Sequence, residues 1–245
     1  DRNKTLIISM TFIAVIGVFL FQKLKPSFYE TTAIATSGIS AYERIPENED
    51  VLNQRTAINL INNLQLDINK GDYKSIAYKL NISKDISATI KFIEAEQLLR
   101  EDKDEKFYNT PKFQINLLIR NFENIIDIQQ GLNHYFNNNE YVKRYKSVFN
   151  TTNNTLISNI EIEINELKEI RKKQNINMNM SSFRVLSKSQ ESEIQNQIIE
   201  LYNHQNLIKT QNLIQPLDYV QEFTKTEIAE REVVVWGSAI GFLTF

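Results

Sequence analysis

Few residues in this chain have the types and spacing needed for catalysis or metal binding. The two histidines are the first candidates. His134 and His204 are 70 residues apart, and neither has a metal-binding partner at i+3 or i+4, as H-x-x-x-H or H-x-x-E-H motifs require. His134 stands beside Tyr135 and Phe136 on a predicted helix. This setting favours a packing or surface position over catalysis.

Carboxylates are the next candidates, because two close carboxyl groups can act as a general acid and base. Four glutamates share one predicted helix, at Glu161, Glu163, Glu166 and Glu169. Basic residues lie within about a turn of them, at Lys168, Arg171 and Lys172. Such mixed charge predicts a solvated, salt-bridged helix face rather than an acid pair.

The sequence does not contain the residues that other kinds of reactive site need. The sequence has no cysteine, which excludes disulfides, thiolate catalysis and cysteine-ligated metals, and it has no Gly-rich nucleotide motif. Asp102, Asp104 and Glu105 lack the spacing and central glycine of a calcium loop. We therefore predict no catalytic, cofactor-binding or metal-binding residues and no enzymatic activity. A net charge of -2 gives no global field that would attract nucleic acid.

The two ends of the chain are apolar. Residues 6–21 carry no charge and are flanked by Lys4 and Lys23, which is typical of a membrane-spanning helix. Residues 233–245 form a second apolar run, in which Gly237 and Gly241 make a G-x-x-x-G helix-packing motif. These runs predict a first transmembrane helix in 1–25 and the start of a second, truncated one in 233–245.

The polar centre predicts both strands and helices. Alternation indicates strands at 28–40, 112–120 and 213–223, the last with Pro216 at an edge position. Apolar residues every three or four positions predict helices at 50–66, 75–80, 86–99, 121–137 and 189–211. Residues 141–173 have no Gly or Pro and predict a single helix about 50 Å long.

These elements predict an α+β membrane protein. Two transmembrane helices would flank a periplasmic domain, residues 26–232, with a small membrane-proximal sheet and a long extended helix at about 141–173. The simplest packing places the first and last strands together beside the middle one.

This layout resembles one family, the bacterial polysaccharide co-polymerases of the Wzz-type chain-length determinants. Four segments carry the resemblance: 25–35 with its tyrosine and β-branched residues, 113–119 with the helix after it, the long helix from Tyr141, and 213–223. One difference is that 225–232 contains no proline, whereas the family commonly has a proline-rich stretch there.

The resemblance implies a protein without catalytic activity. It would form a homo-oligomeric ring in the bacterial inner membrane, with the central domain in the periplasm. Its partners would be a polysaccharide polymerase, the lipid-linked glycan such as O-antigen whose length it regulates, and membrane lipids. Two alternatives share the layout: a two-span periplasmic sensor, and a structural subunit of a secretion or efflux complex.

Overall fold

The structure, a computed structural model, describes residues 28–43, 54–101, 107–177 and 184–224, with isolated positions at Ile13, Ile16, Gly17 and Leu20. The chain divides into two compact units. The sheet unit comprises Asp1–Ser37, Asp50–Phe136 and Leu217–Phe245, and the hairpin unit comprises Gly38–Glu49 and Asn137–Pro216.

The sheet unit contains four antiparallel strands in the order β2-β3-β1-β4. The strands are β1 (Tyr29–Thr36), β2 (Ile90–Glu101), β3 (Phe107–Ile119) and β4 (Asp218–Gln221). Every second residue is buried from Thr31 onward in β1 and from Phe113 onward in β3, so each strand gives one face to the core. The register aligns Ala33 with Ile115 and Ala35 with Phe113, which places small side chains opposite large ones.

The helices of the sheet unit are short and amphipathic. They are α2 (Arg55–Lys70), α3 (Tyr73–Leu80), α4 (Lys84–Ser87) and α5 (Ile125–Asn138), the last preceded by a 3-10 turn at Phe122–Asn124. Ser83 caps α4, because its hydroxyl accepts a hydrogen bond from the Ile86 N–H at 3.1 Å. Asn81 ends α3 in the left-handed conformation, with φ at 54°.

Two polar side chains of α2 cover the outer edge of β2. Asn62 accepts a hydrogen bond from the Ala95 N–H at 2.7 Å and donates to the Ala95 carbonyl at 3.1 Å. Gln65 accepts from the Ile93 N–H at 2.7 Å. An edge strand with open N–H and C=O groups can pair with another chain, and these bonds close that edge of β2.

The hairpin unit has α1 (Ile39–Glu43) and two long helices, α6 (Glu140–Asn177) and α7 (Arg184–Gln211). Its helix–helix core is small, with Ile160 and Ile164 of α6 packed against Ile198 and Ile208 of α7. Helix α6 has 38 residues, so at 1.5 Å per residue it is about 57 Å long.

Several sequence-based predictions of elements differ from the structure. The last strand is Asp218–Gln221 rather than 213–223, so Pro216 precedes it. The helix predicted at 86–99 is wrong, because β2 begins at Ile90. The pairing of β2 with β3 shifts register between Ile90 and Phe92, so Ile90 and Ile93 are both buried although they lie three residues apart. A strand with such a bulge imitates helical spacing in sequence. The long helix predicted at 141–173 is confirmed but continues further, to Asn177.

The predicted fold class is wrong in its membrane part. The structure is α+β with a four-stranded sheet, and none of the helices it describes is both long and apolar enough to cross a bilayer. The long helices α6 and α7 have the length but not the composition, because charged residues recur along both. Of the predicted first span only Ile13, Ile16, Gly17 and Leu20 are described, and residues 233–245 lie outside the described part.

Candidate functional site

The two histidines belong to different units of the structure. His134 lies in the sheet unit, on α5, whereas His204 lies in the hairpin unit, exposed on α7. No group of three or more acidic or histidine side chains in the described residues is placed to hold a metal ion. Residues 102–106, and Gly237 with Gly241, lie outside the described part.

The charged face of α6 makes contacts with α7. Its basic side chains contact α7: Lys168 donates to the Tyr202 hydroxyl at 2.9 Å, and the guanidinium of Arg171 lies 3.4 Å from Glu191. Glu161 also reaches α7, where it accepts a hydrogen bond from Gln205 at 2.9 Å. Some of these charged side chains therefore contact α7, while the four glutamates are exposed, as predicted for a solvated face.

Buried amides continue this polar contact between the two helices. Gln205 is only 4% exposed and Asn153 only 3% exposed. Asn153 donates to the Asn212 side chain at 2.8 Å. A buried polar group costs free energy unless its partner is in place, so these pairs favour one register of α6 against α7.

Helix α6 also exposes a row of large aliphatic side chains. We call it the α6 stripe: Val148, Leu156, Ile162 and Ile170, which are 41% to 59% exposed. At about 100° per residue these four positions fall within an arc of about 120°. The stripe lies beside the buried positions Ile160 and Ile164, on one flank of the hairpin.

A second apolar patch lies on the other flank. Tyr202 and Ile199 of α7 are 40% and 47% exposed. Tyr202 contacts Lys168, which lies about half a turn of α6 away from the stripe. We call Ile199 and Tyr202 the α7 patch. The hairpin thus carries exposed apolar side chains on two opposite flanks.

Aromatic side chains cluster at the first turn of α6. The rings of Tyr141 and Tyr145 are 4.7 Å apart, and the Arg144 guanidinium lies 5.5 Å from the Tyr145 ring. The Tyr141 hydroxyl donates to the Glu43 carboxylate at 2.6 Å. This hydrogen bond, with burial and the carboxylate charge, raises the pKa of Tyr141. The hydrogen bond between Tyr141 and Glu43 links α1 to α6.

His134 lines a cleft of about 300 Å³ in the sheet unit. One wall is a face of α5, with Asp127, Gly131 and His134 at helical spacing, and the other is the turn between α3 and α4. Gly131 allows the close approach of the two walls, because a Cβ there would lie 2.8 Å from the Leu80 carbonyl oxygen. Sequence reasoning missed this cleft, since its two walls are more than 40 residues apart in the chain.

Comparison with known proteins finds structural likeness but no match to a family model or a curated protein. Among solved structures, a full-length bacterial polysaccharide co-polymerase is similar, with a TM-score of 0.41 and 11% sequence identity. The match covers 99% of this chain and 90% of the other. The function of this chain therefore has to be inferred from its own residues.

Proposed function

We propose that this chain is a non-catalytic regulator of polysaccharide chain length that works as an oligomeric scaffold. Its subunits would assemble side by side through the hairpin unit into a ring. Its partners would be a polysaccharide polymerase and the lipid-linked glycan, on the periplasmic side of the bacterial inner membrane.

The observation that carries the proposal is the pair of apolar flanks on the hairpin. The α6 stripe and the α7 patch differ in composition and lie on opposite flanks. If the stripe of one copy packs against the patch of the next, the contact is heterologous, and repeated heterologous contacts form a ring when the rotation between neighbouring copies closes. A pair of copies would leave one stripe and one patch uncovered.

The order of elements also supports the proposal. The segments that carry the sequence resemblance contain β1, β3 followed by α5, the long helix α6, and β4. β1 lies between β3 and β4, as the predicted packing of first, middle and last strands requires. The four-stranded sheet argues against the all-helical ligand domain that the sensor alternative would need.

Mass photometry of the full-length chain in mild detergent tests the assembly. We expect a ring of several copies for the wild type. Ile162→Asp combined with Ile170→Asp should shift most of the protein to monomers, because each substitution puts a charge into an apolar contact. Leu66→Asp, at an equally exposed aliphatic position on α2, is the matched control and should leave the ring intact.

The assembly proposal fails if the wild type is a monomer or dimer, or if the stripe variant assembles as well as the control. Circular dichroism of both variants checks that the helices are retained.

Deletion of the gene in the native host tests the biological role. We expect the length distribution of a surface glycan, read on a gel, to become broad or shorter. Complementation with wild type should restore it, and the stripe variant should not. A length distribution that the deletion leaves unchanged contradicts the proposed function.

A further inference from the structure

We infer that the cleft beside His134 binds one saccharide unit of a glycan. This inference deepens the proposed function by assigning a ligand class to a site in the sheet unit. It is separate from assembly, which uses the hairpin unit.

The size and shape of the cleft suit a small molecule. Its volume of about 300 Å³ is at the lower end of the range of ligand pockets, about 300–1,000 Å³. Three apolar side chains line it, Leu80, Ile82 and Ile86. Such a surface can receive the C–H face of a sugar ring, whose burial is favourable.

The polar groups of the cleft match hydroxyl groups. Five polar side chains line it, Asn81, Ser83, Asp127, Gln130 and His134. Carboxylate oxygens accept hydrogen bonds, while carboxamide, imidazole and hydroxyl groups can both donate and accept. A sugar carries several hydroxyls that donate and accept in the same way, so each group can find a partner.

The charge of the cleft disfavours an anionic ligand. None of the described residues that line it is Lys or Arg, and Asp127 adds a negative charge. Phosphate and carboxylate ligands are usually bound by Arg or Lys side chains. A neutral polyhydroxyl ligand meets no such penalty here.

The fold holds the walls of the cleft in place. Gly131 packs α5 against the Leu80 carbonyl, and Asn81 closes the end of α3 with its N–H bonded to the Tyr78 carbonyl at 3.4 Å. Ser83 is fixed by its bond from the Ile86 N–H. The polar side chains therefore project from backbone that is already ordered, which lowers the entropy cost of binding.

Saturation-transfer NMR on the full-length chain tests the inference, with glucose and N-acetylglucosamine as probes. We expect transfer to at least one of the two sugars with the wild type. His134→Gln should weaken binding about tenfold, which corresponds to the loss of one good hydrogen bond. His204→Gln, at the other histidine, is the matched control and should bind as the wild type does.

Asp127 supplies a second variant at an exposed position that should not affect folding. Asp127→Asn should weaken binding, whereas Glu123→Gln, which removes a carboxylate just before α5 but outside the cleft, should not. No transfer to either sugar with the wild type, or equal binding by all four variants, overturns the inference. Displacement of the sugar by inorganic phosphate at equal concentration also overturns it, in favour of an anion site.

These outcomes are distinct from those that test the proposed function. If the wild type forms rings and regulates glycan length but neither sugar binds, only the cleft assignment fails. If sugar binds and His134→Gln weakens it while gene deletion leaves glycan length unchanged, the cleft assignment stands and the proposed function fails.

Discussion

Asn62 shows how one side chain can replace a neighbouring strand. Its carboxamide offers a donor and an acceptor at the spacing of a backbone peptide, and it satisfies both polar groups of Ala95, which is 3% exposed. Nothing in the sequence marks Asn62 for this role, because asparagine is frequent throughout the chain. The assignment requires the contact between α2 and β2.

Asn62→Leu should therefore lower the free energy of unfolding by about 1–3 kcal/mol, since it leaves the buried Ala95 N–H and C=O without partners. Urea unfolding followed by circular dichroism measures the change. Asn63→Leu is the matched control, because Asn63 is exposed on the same helix and its change should stay within about 0.5 kcal/mol. Equal effects of the two substitutions would show that the edge bonds contribute nothing.

Tyr42 has a comparable role in the hairpin unit. Its hydroxyl donates to the Ile214 carbonyl at 2.5 Å, and its side chain is 3% exposed. Burial raises the pKa of Tyr42, because the tyrosinate form would lose its hydration. The folded state therefore holds the proton more tightly than the unfolded chain does.

A raised pKa in the folded state gives stability that is fully present below the unfolded pKa, about 10 for tyrosine, and is lost as pH rises above it. Tyr42→Phe should cost about 1 kcal/mol at pH 8, from the lost hydrogen bond. The difference between wild type and Tyr42→Phe should shrink at pH 10.5. Urea unfolding at both pH values measures it, and a difference that stays constant would contradict the assignment.

At the level of helices and strands, sequence periodicity predicts the elements whose pattern is uninterrupted. The strands β1 and β3 alternate without interruption over most of their length, and α6 keeps its three-or-four spacing with no Gly or Pro, so sequence alone indicates them. Periodicity does not predict β2, because its bulge changes the phase of the alternation. Periodicity also does not predict the pairing of α6 with α7, since Gln205 and Asn153 are polar residues whose burial depends on partners distant in sequence.

At the scale of the whole molecule, hydrophobic burial is unequally distributed. Apart from Ile39, all of the largest fully buried side chains among the described residues belong to the sheet unit. The hairpin unit buries fewer apolar side chains, and polar pairs also join its two long helices. Local opening costs less free energy where fewer apolar side chains are buried. An isolated hairpin unit should therefore open more often than the sheet unit.

If the apolar flanks pack between copies, assembly should protect the hairpin unit from local opening. In hydrogen exchange followed by mass spectrometry, peptides around the α6 stripe and the α7 patch should exchange slowly in the wild type and at least tenfold faster in Ile162→Asp with Ile170→Asp. Peptides from β1 and β3 should exchange alike in both. The comparison separates protection by neighbouring copies from protection within one chain, because only the former depends on the stripe. Equally fast exchange of the hairpin in both proteins would mean that the flanks stay exposed in the assembly and that copies meet elsewhere.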